Sequence, residues 1–371
     1  MQRILVADVG GTNCRFGSFI LENNTLALEF STRISSNSLS NGQALFTALS
    51  EKLSLPIENA AAIVVGLAGP VDGQRGRLTN GSLDVDLAEV SALRQIEHCL
   101  LLNDFTLQAY ATLTPPGTHA LSVADSPIAS ALEPAGTPKL AGAVERGSLT
   151  ESCGRTRAII GAGTGLGAAS LLPVTGKGWT PVPSEAGHAA FAFLGEEEQE
   201  YRRFLCRELG RPFVSAENVL CGDGLAILHY YLTGQLLKPA QVGAQSLEGE
   251  TPTLRWYSRF LGRFCRGWML STLCTGGLWI AGGIAAANPH CVTSAVFSEA
   301  LRADTGAIAP LLKDTPVYLV TDTDSGLWGA AFAGQAMLQE KRADIFKCTA
   351  VASAVVQFMA LIWHNASSFV I

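Results

Sequence analysis

At 371 residues, 48% of them apolar and only 16% charged, the chain is long enough for two domains, each with a buried core. A net charge of −6, with no basic run and no Arg or Lys interleaved with aromatic residues, excludes the electrostatic footprint of a nucleic-acid binder and favours a small-molecule partner. The nine cysteines lack C-x-x-C spacing, which speaks against a zinc site or a disulfide framework and for reduced, buried thiols.

Met1-Gln2-Arg3 passes straight into an apolar run, Ile4 to Ala7, with no secretory pattern, so a cytoplasmic chain is expected. That run delivers Asp8-Val-Gly-Gly-Thr-Asn13, and a second strand-like run follows from Arg15 to Leu21. Gly10 and Gly11 suit a tight turn; peptide N–H groups left unpaired there can point at an anion, and Thr12 and Asn13 add side-chain donors. An ordinary hairpin and a phosphate cradle are both open at this point, and Asp8 beside a phosphate requires a metal between them. Residues 3 to 34 read as a β-meander, and Gly42 to Leu53 has the helical period, with apolar residues at 45, 46, 49 and 53. Ala60 to Leu67 reads as a strand buried on both faces, Arg75 to Asn80 as a turn segment, and Leu87 to His98 as a helix. Cys99 to Leu102 is a further buried strand stopping at Asn103-Asp104, where a helical pattern resumes from Leu107 to Leu113. Asp104 thus sits where a strand end meets a helix start, the place where α/β sheets bind ligands.

Thr114 to Arg155 is rich in Pro, Gly, Ser and Ala and reads as a long connection with a surface excursion. Strand, glycine hairpin and strand then recur: Arg157 to Ile160, Gly161-Ala-Gly-Thr-Gly-Leu-Gly167, Ala168 to Leu172. Ser184-Glu185-Ala-Gly-His188 precedes an acidic helix start at Glu196 to Glu198, and Ser215 is an N-cap for the helix that holds Glu217. A long helix from Leu254 to Leu273, the strand Leu278 to Ala281, a third turn at Gly282-Gly283, the strand Val317 to Val320 and a helix from Gly326 to Leu338 complete the reading. Thr349 to Trp363 is apolar, but at about fifteen residues it falls short of the roughly twenty needed to span a bilayer, so no membrane role is expected. It reads as a packed terminal helix or a subunit contact.

One glycine turn is unremarkable; three strand-linked ones, at positions 10, 161 and 282, together with Asp8 and Asn103-Asp104, point to a bound nucleotide. Each residue keeps a plainer alternative. Asp104 can be only an N-cap, His188 a structural histidine orienting the Glu185 loop, and Glu217 an acid compensating a helix dipole.

Asp8-Val-Gly-Gly-Thr-Asn-Cys-Arg15, Leu102-Asn-Asp-Phe105, Gly161 to Gly167, Glu185-Ala-Gly-His188, Ser215-Ala-Glu-Asn-Val-Leu-Cys-Gly222 and Ala281-Gly-Gly-Ile284 resemble the ordered motif set of bacterial ATP-dependent glucokinases, within the sugar kinase, Hsp70 and actin superfamily. The resemblance covers about residues 3 to 338. It implies an α/β, two-domain, actin-like (ribonuclease H-like) ATPase fold with a ligand cleft between domains. The expected domains are a small one, 1–114 completed by about 322–340, a large one, 115–321, and a 341–371 extension of unassigned role. It further implies that Asp8 organises Mg²⁺ through water, that Gly10, Gly11, Thr12, Asn13, Gly163, Thr164 and Gly165 hold the phosphates of ATP, and that Gly282 and Gly283 lie against adenosine. Asn80, Asn103, Asp104, Glu185, His188 and Glu217 would bind sugar hydroxyls, with Asp104 as the catalytic base on the 6-hydroxyl. Domain closure would exclude water. Glucose is the expected substrate and a homodimer the expected assembly; a kinase for fructose or N-acetylmannosamine, and a non-catalytic sugar-binding regulator, are the alternatives. Departures bear on the sugar: Ala186 replaces a glycine of Glu-Gly-Gly-His, the stretch Ala189 to Phe193 lacks the acid and proline that often follow, Leu83 stands where an aromatic residue is expected, and the 114–155 connection is long.

Overall fold

The computed structural model describes residues 1–123, 154–175, 178–304 and 306–339. The expected apolar tail from Thr349 to Trp363, the 341–371 extension and most of the 114–155 connection lie outside the described residues. The described chain divides into two compact units: Met1–Leu107 joined by the residues from Leu327 to Gln339, and Gln108–Gly326.

The strands of the first unit are β1 (Gln2–Val9), β2 (Asn13–Glu22), β3 (Thr25–Ser35), β4 (Ala62–Leu67), the short β5 (Val71–Asp72), β6 (Arg75–Arg77) and β7 (Asp84–Asp86), and β8 (Cys99–Asn103). Five of them form a sheet in the order β3-β2-β1-β4-β8, antiparallel through the opening meander and parallel across β1, β4 and β8. The pleat sends alternate side chains to opposite faces. Leu5, Ala7, Val9, Ile63, Val65, Leu67 and Leu101 meet Leu45, Phe46, Leu49 and Leu53 of helix α1 (Gly42–Leu53) in one core. Each of the fully buried Leu, Val, Ile and Phe side chains contributes about 1.5–3 kcal/mol. The α1 boundaries are those the sequence predicts: Asn41 caps its start by accepting from the Ala44 N–H, and Ser54 ends it in a left-handed conformation.

The other sheet face packs on the helix Ser325–Gln339. A Cβ on Gly334 would stand 2.8 Å from Ile4 Cγ2 and 3.3 Å from Val64 Cγ2, and Phe19 meets Trp328 edge to face at 5.0 Å. Gln335 donates to the Asn24 carbonyl at the β2–β3 turn.

Two local expectations are corrected. Leu87 to His98 is no continuous helix but two 3₁₀ turns, Leu87–Glu89 and Ser91–Gln95, separated by an extended Val90. The Ser91 N–H that a helix would direct to Leu87 instead donates to Gln43 Oε1, 3.3 Å away. Arg75 to Asn80 is not simply a turn, because β6 is the middle strand of a three-stranded sheet β5-β6-β7 fastened by the Arg75–Asp86 ion pair at 2.6 Å.

Helix α2 (Asp104–Ala111) begins directly at the end of β8, three residues before the expected start. In the second unit, α3 (Pro115–Thr118) and β9 (Leu121–Ser122) give the beginning of the 114–155 connection regular structure. β10 (Arg157–Ala162), β11 (Leu166–Val174), β12 (Gly178–Ser184), β13 (Leu278–Ala281) and β14 (Val317–Leu319) join β9 in a sheet ordered β12-β11-β10-β13-β14-β9. Strands β10, β13 and β14 are parallel. Helices α4 (Gly195–Leu209), α5 (Ala216–Leu220), α6 (Gly222–Thr233), α7 (Pro239–Ser246) and α8 (Pro252–Thr272) follow β12. α8 buries Trp256, Tyr257, Phe260, Leu261, Cys265 and Met269 in the core of this unit. Glu198 of α4 is buried in the same region, and Arg259 and Arg263 of α8 hold its charge at 3.2 and 2.5 Å. At the start of β10, Arg157 lies between the rings of Trp179 and Trp279, 5.0 and 5.2 Å from their centroids, and donates to the carbonyl of Thr112, the residue after α2.

Candidate active site

Register aligns the chemistry of the first unit. Val9 pairs with Leu67 and Leu67 with Asn103, so the ends of three parallel strands form one row. Gly10, Ala68 and Asp104 follow immediately. Asp8 is 9% exposed and pairs with Gly66, whose missing side chain is directed at Leu107 of α2, so Asp8 and the first turn of α2 share a sheet face. The Arg15 guanidinium stands 3.9 Å from Asp8 across the β1–β2 ladder. Burial, together with Asp8, pushes the neighbouring Cys14 thiol up, so it stays protonated and is no nucleophile.

The Gly10 N–H donates to the Asn13 carbonyl at 3.0 Å, closing a two-residue turn at Gly11-Thr12. Ser36 holds that turn from behind. Its Oγ donates to the Gly10 carbonyl at 2.6 Å and its N–H to the Thr12 carbonyl at 3.1 Å. Two carbonyl oxygens that would repel an anion are thereby engaged. Ser36 belongs to no motif; the only sequence signal for it is a small hydroxyl residue at the end of the strand pairing with Asn13.

Asn103 has two bonds: its Nδ2 donates to the Gly69 carbonyl at 3.1 Å, and its Oδ1 accepts from the Phe105 N–H at 2.9 Å. It therefore braces the turn after β4 and caps α2, and Asp104 is left in the first helical turn, half-buried. Asn80 is exposed beside Thr79, whose N–H binds the Ala68 carbonyl, so it belongs to the same end of the sheet. Leu83 is buried in the α1 core.

The second unit gathers the remaining candidates. Gly163-Thr164-Gly165 is the loop between β10 and β11, closed by the Gly163 N–H donating to Gly165 O at 2.9 Å. Gly161 pairs with Ala281 on the neighbouring strand, so Gly282 and Gly283 adjoin that loop. Gly282 has φ +93°, and any side chain there would run into the Ala162 carbonyl. Ser184 pairs with Ala168, which brings the Glu185–His188 turn beside the hairpin. His188 Nε2 lies 3.6 Å from Glu185 Oε2, both side chains at least half exposed. The Ala189 carbonyl accepts from Ala216, joining that turn to the helix of Glu217. Glu217 itself reaches back: its Oε2 accepts from the Leu166 N–H at 2.9 Å.

The residues fit a nucleotide and a hard cation. A Cβ on Gly163 or Gly283 would meet no protein atom within 4 Å, so the space beside both glycines is open and a phosphate can approach the chain closely there. Asp8 offers a nearly buried oxygen donor of the kind Mg²⁺ takes through water.

The family model for glucokinase matches residues 5–337. A glucokinase of Brucella melitensis is 29% identical over 344 residues, covering 89% of this chain and 90% of its own length. That of Psychromonas ingrahamii is 31% identical over 339 residues, covering 89% and 96%. The crystal structure of glucokinase from an Antarctic psychrotroph superposes with a TM-score of 0.68 at 25% identity, covering 90% of this chain and 98% of that one. With its strand-end turns and paired α/β units, the chain belongs to the glucokinase family, hexokinase-type sugar kinases of the two-domain actin-like ATPase fold.

Proposed function

We propose that the chain transfers a phosphoryl group from ATP to the 6-hydroxyl of glucose, with Asp104 as general base. When bound, Mg²⁺·ATP supplies the phosphoryl group and neutralises its developing charge. The observation that carries the reading is the row Val9, Leu67, Asn103: it supports one site in which the Asp8 hairpin and Asp104 lie at the same strand ends. Asp104 takes the 6-hydroxyl proton as that oxygen attacks, which is worth about 10²–10⁴-fold. Phosphoryl transfer needs positioning and charge compensation more than covalent help, so the remaining residues hold geometry. Gly10 to Asn13 and Gly163 to Gly165 hold phosphate oxygens, Asp8 holds Mg²⁺ through water, and Gly282 and Gly283 lie against adenosine. Asn80, Asn103, Glu185, His188 and Glu217 read the sugar hydroxyls, a mixed set of donors and acceptors suited to a polyol.

A cytoplasmic, homodimeric protein is part of this reading. Seven of the nine cysteines lie among the described residues and none of those seven is paired, and among the same residues no helix is long and apolar enough to cross a membrane.

The test is ADP release coupled to a sugar panel, with Asp104→Ala beside wild type. Glucose-dependent turnover in wild type and a kcat at least about 10²-fold lower in Asp104→Ala are expected. No sugar-dependent turnover refutes the kinase reading, and near-normal kcat in the variant refutes only the base. Faster turnover of fructose or N-acetylmannosamine would move the substrate and leave the reaction, a possibility that Ala186 at the sugar turn motivates.

A further inference from the structure

Glu217 is in the first turn of α5, where compensation of the helix dipole would explain an acid. The helix end, however, is already satisfied without it: Ser215 Oγ accepts from the Asn218 N–H, and Asn218 Oδ1 accepts from the Ser215 N–H in a reciprocal capping box. The Glu217 carboxylate instead reaches a residue 51 positions earlier, the Leu166 N–H at the foot of the glycine hairpin. Glycine at 165 is what lets it in, since a Cβ there would stand 2.7 Å from the same oxygen, Oε2. From the next helix, the Gly222 N–H donates to the Gly163 carbonyl at 2.9 Å. The hairpin is thus clamped at both feet by α5 and α6, once through backbone and once through a carboxylate. Among the described residues, the second carboxylate oxygen of Glu217 makes no hydrogen bond, and the side chain is half-buried.

We infer that Glu217 couples sugar binding to phosphate binding, one oxygen anchoring the Gly163–Gly165 hairpin while the other receives a sugar hydroxyl. The inference rests on the kinase reading above and adds a positioning role that a simple sugar contact lacks. A hydroxyl donating to Oε1 fixes the carboxylate plane and with it the Oε2 bond, so a bound sugar orders the hairpin. By reciprocity, a nucleotide that orders the hairpin tightens the sugar.

Isothermal titration of Mg²⁺·ADP into the full chain tests this, without sugar and at glucose saturating for each variant, with melting curves to confirm folding. Glu217→Ala is expected to weaken Mg²⁺·ADP about fivefold or more even without sugar, because the hairpin loses its anchor. Glu217→Gln, whose amide oxygen still accepts from Leu166, stays within about twofold of wild type. Glucose tightens Mg²⁺·ADP in wild type and no longer does so in Glu217→Ala. From the other end, Gly165→Ala displaces the carboxylate and weakens glucose about fivefold or more. If Glu217→Ala loses only glucose affinity, or if Ala and Gln weaken Mg²⁺·ADP equally, the coupling is refuted. If wild type phosphorylates no sugar, the functional reading fails, while the sugar-free titration still decides the anchor.

Discussion

Replacing Gly66 with alanine should slow catalysis without touching a ligand. Its added Cβ would overlap Leu107 Cδ1 and stand 2.9 Å from Leu107 Cγ, with Leu107 fully buried. The Cδ1 methyl can swing aside only into a packed interior, and Cγ cannot avoid the contact by rotation about its outer bond. Restoring an ordinary separation of about 3.5 Å from 2.9 Å needs roughly a 0.6 Å shift of the Leu107 stem. Asp104 lies three residues earlier, on the same turn of α2, and moves with it. Misplacing a reacting group by about 1 Å costs on the order of 10²-fold, so kcat should fall about 10- to 100-fold. The overpacking itself costs about 1–3 kcal/mol, seen as a melting temperature lower by several degrees. Initial rates at saturating glucose and Mg²⁺·ATP, with a melting curve, measure both. The double variant Gly66→Ala/Leu107→Ala gives the new methyl room, and its kcat should return to within about threefold of Leu107→Ala alone. A lowered melting temperature with kcat unchanged, or a double variant no faster than Gly66→Ala, would show that this contact does not set the position of Asp104.

Three further outcomes follow from other contacts. Ser36→Ala removes the donor to the Gly10 carbonyl, a bond worth about 1 kcal/mol, and should raise the KM for ATP about fivefold while the KM for glucose stays put; an equal rise in both would rule out a role confined to the phosphate turn. Arg157→Met discards two ring contacts and the bond to Thr112, so denaturation should show a loss of about 2–4 kcal/mol, with Arg157→Lys recovering only part because an ammonium lacks the planar face; full recovery by Lys would mean charge alone matters. Burial lowers the pKa of His229 below its ordinary 6.5, so below about that pH the unfolded chain binds more protons than the folded one and stability drops as pH falls. Melting temperatures between pH 7.5 and 5.5 should decline less in His229→Gln than in wild type, and parallel curves would remove His229 from the account.

Where structure follows local period or continuous apolar runs, it was readable beforehand. The four apolar positions of α1 are all buried, β13 spans the residues expected, and the opening meander pairs in order. The misread parts have non-local causes. Leu87 to His98 carries a helical pattern, but the Gln43 side chain, some fifty residues away in sequence, takes the N–H that would have continued it. Strands of two or three residues such as β5 and β6 are too short to show a period. The candidate residues were legible as motifs, yet what holds them was not. Ser36 behind Gly10, Leu107 against Gly66 and Leu166 on Glu217 are pairings across the chain that no local pattern announces.

The packing of the Ser325–Gln339 helix on the first sheet has a consequence for how the chain is made. Ile4, Val6 and Val64 leave the ribosome early, but the helix that covers their face is translated only after more than two hundred and fifty further residues. At about 5–20 residues per second, that apolar face waits roughly 13–50 s for its cover. The second unit, continuous from Gln108 to Gly326, is synthesised in full during the wait. The nascent chain can therefore complete its later unit before its first, and it is the early sheet that must be shielded from aggregation until translation reaches Gln339.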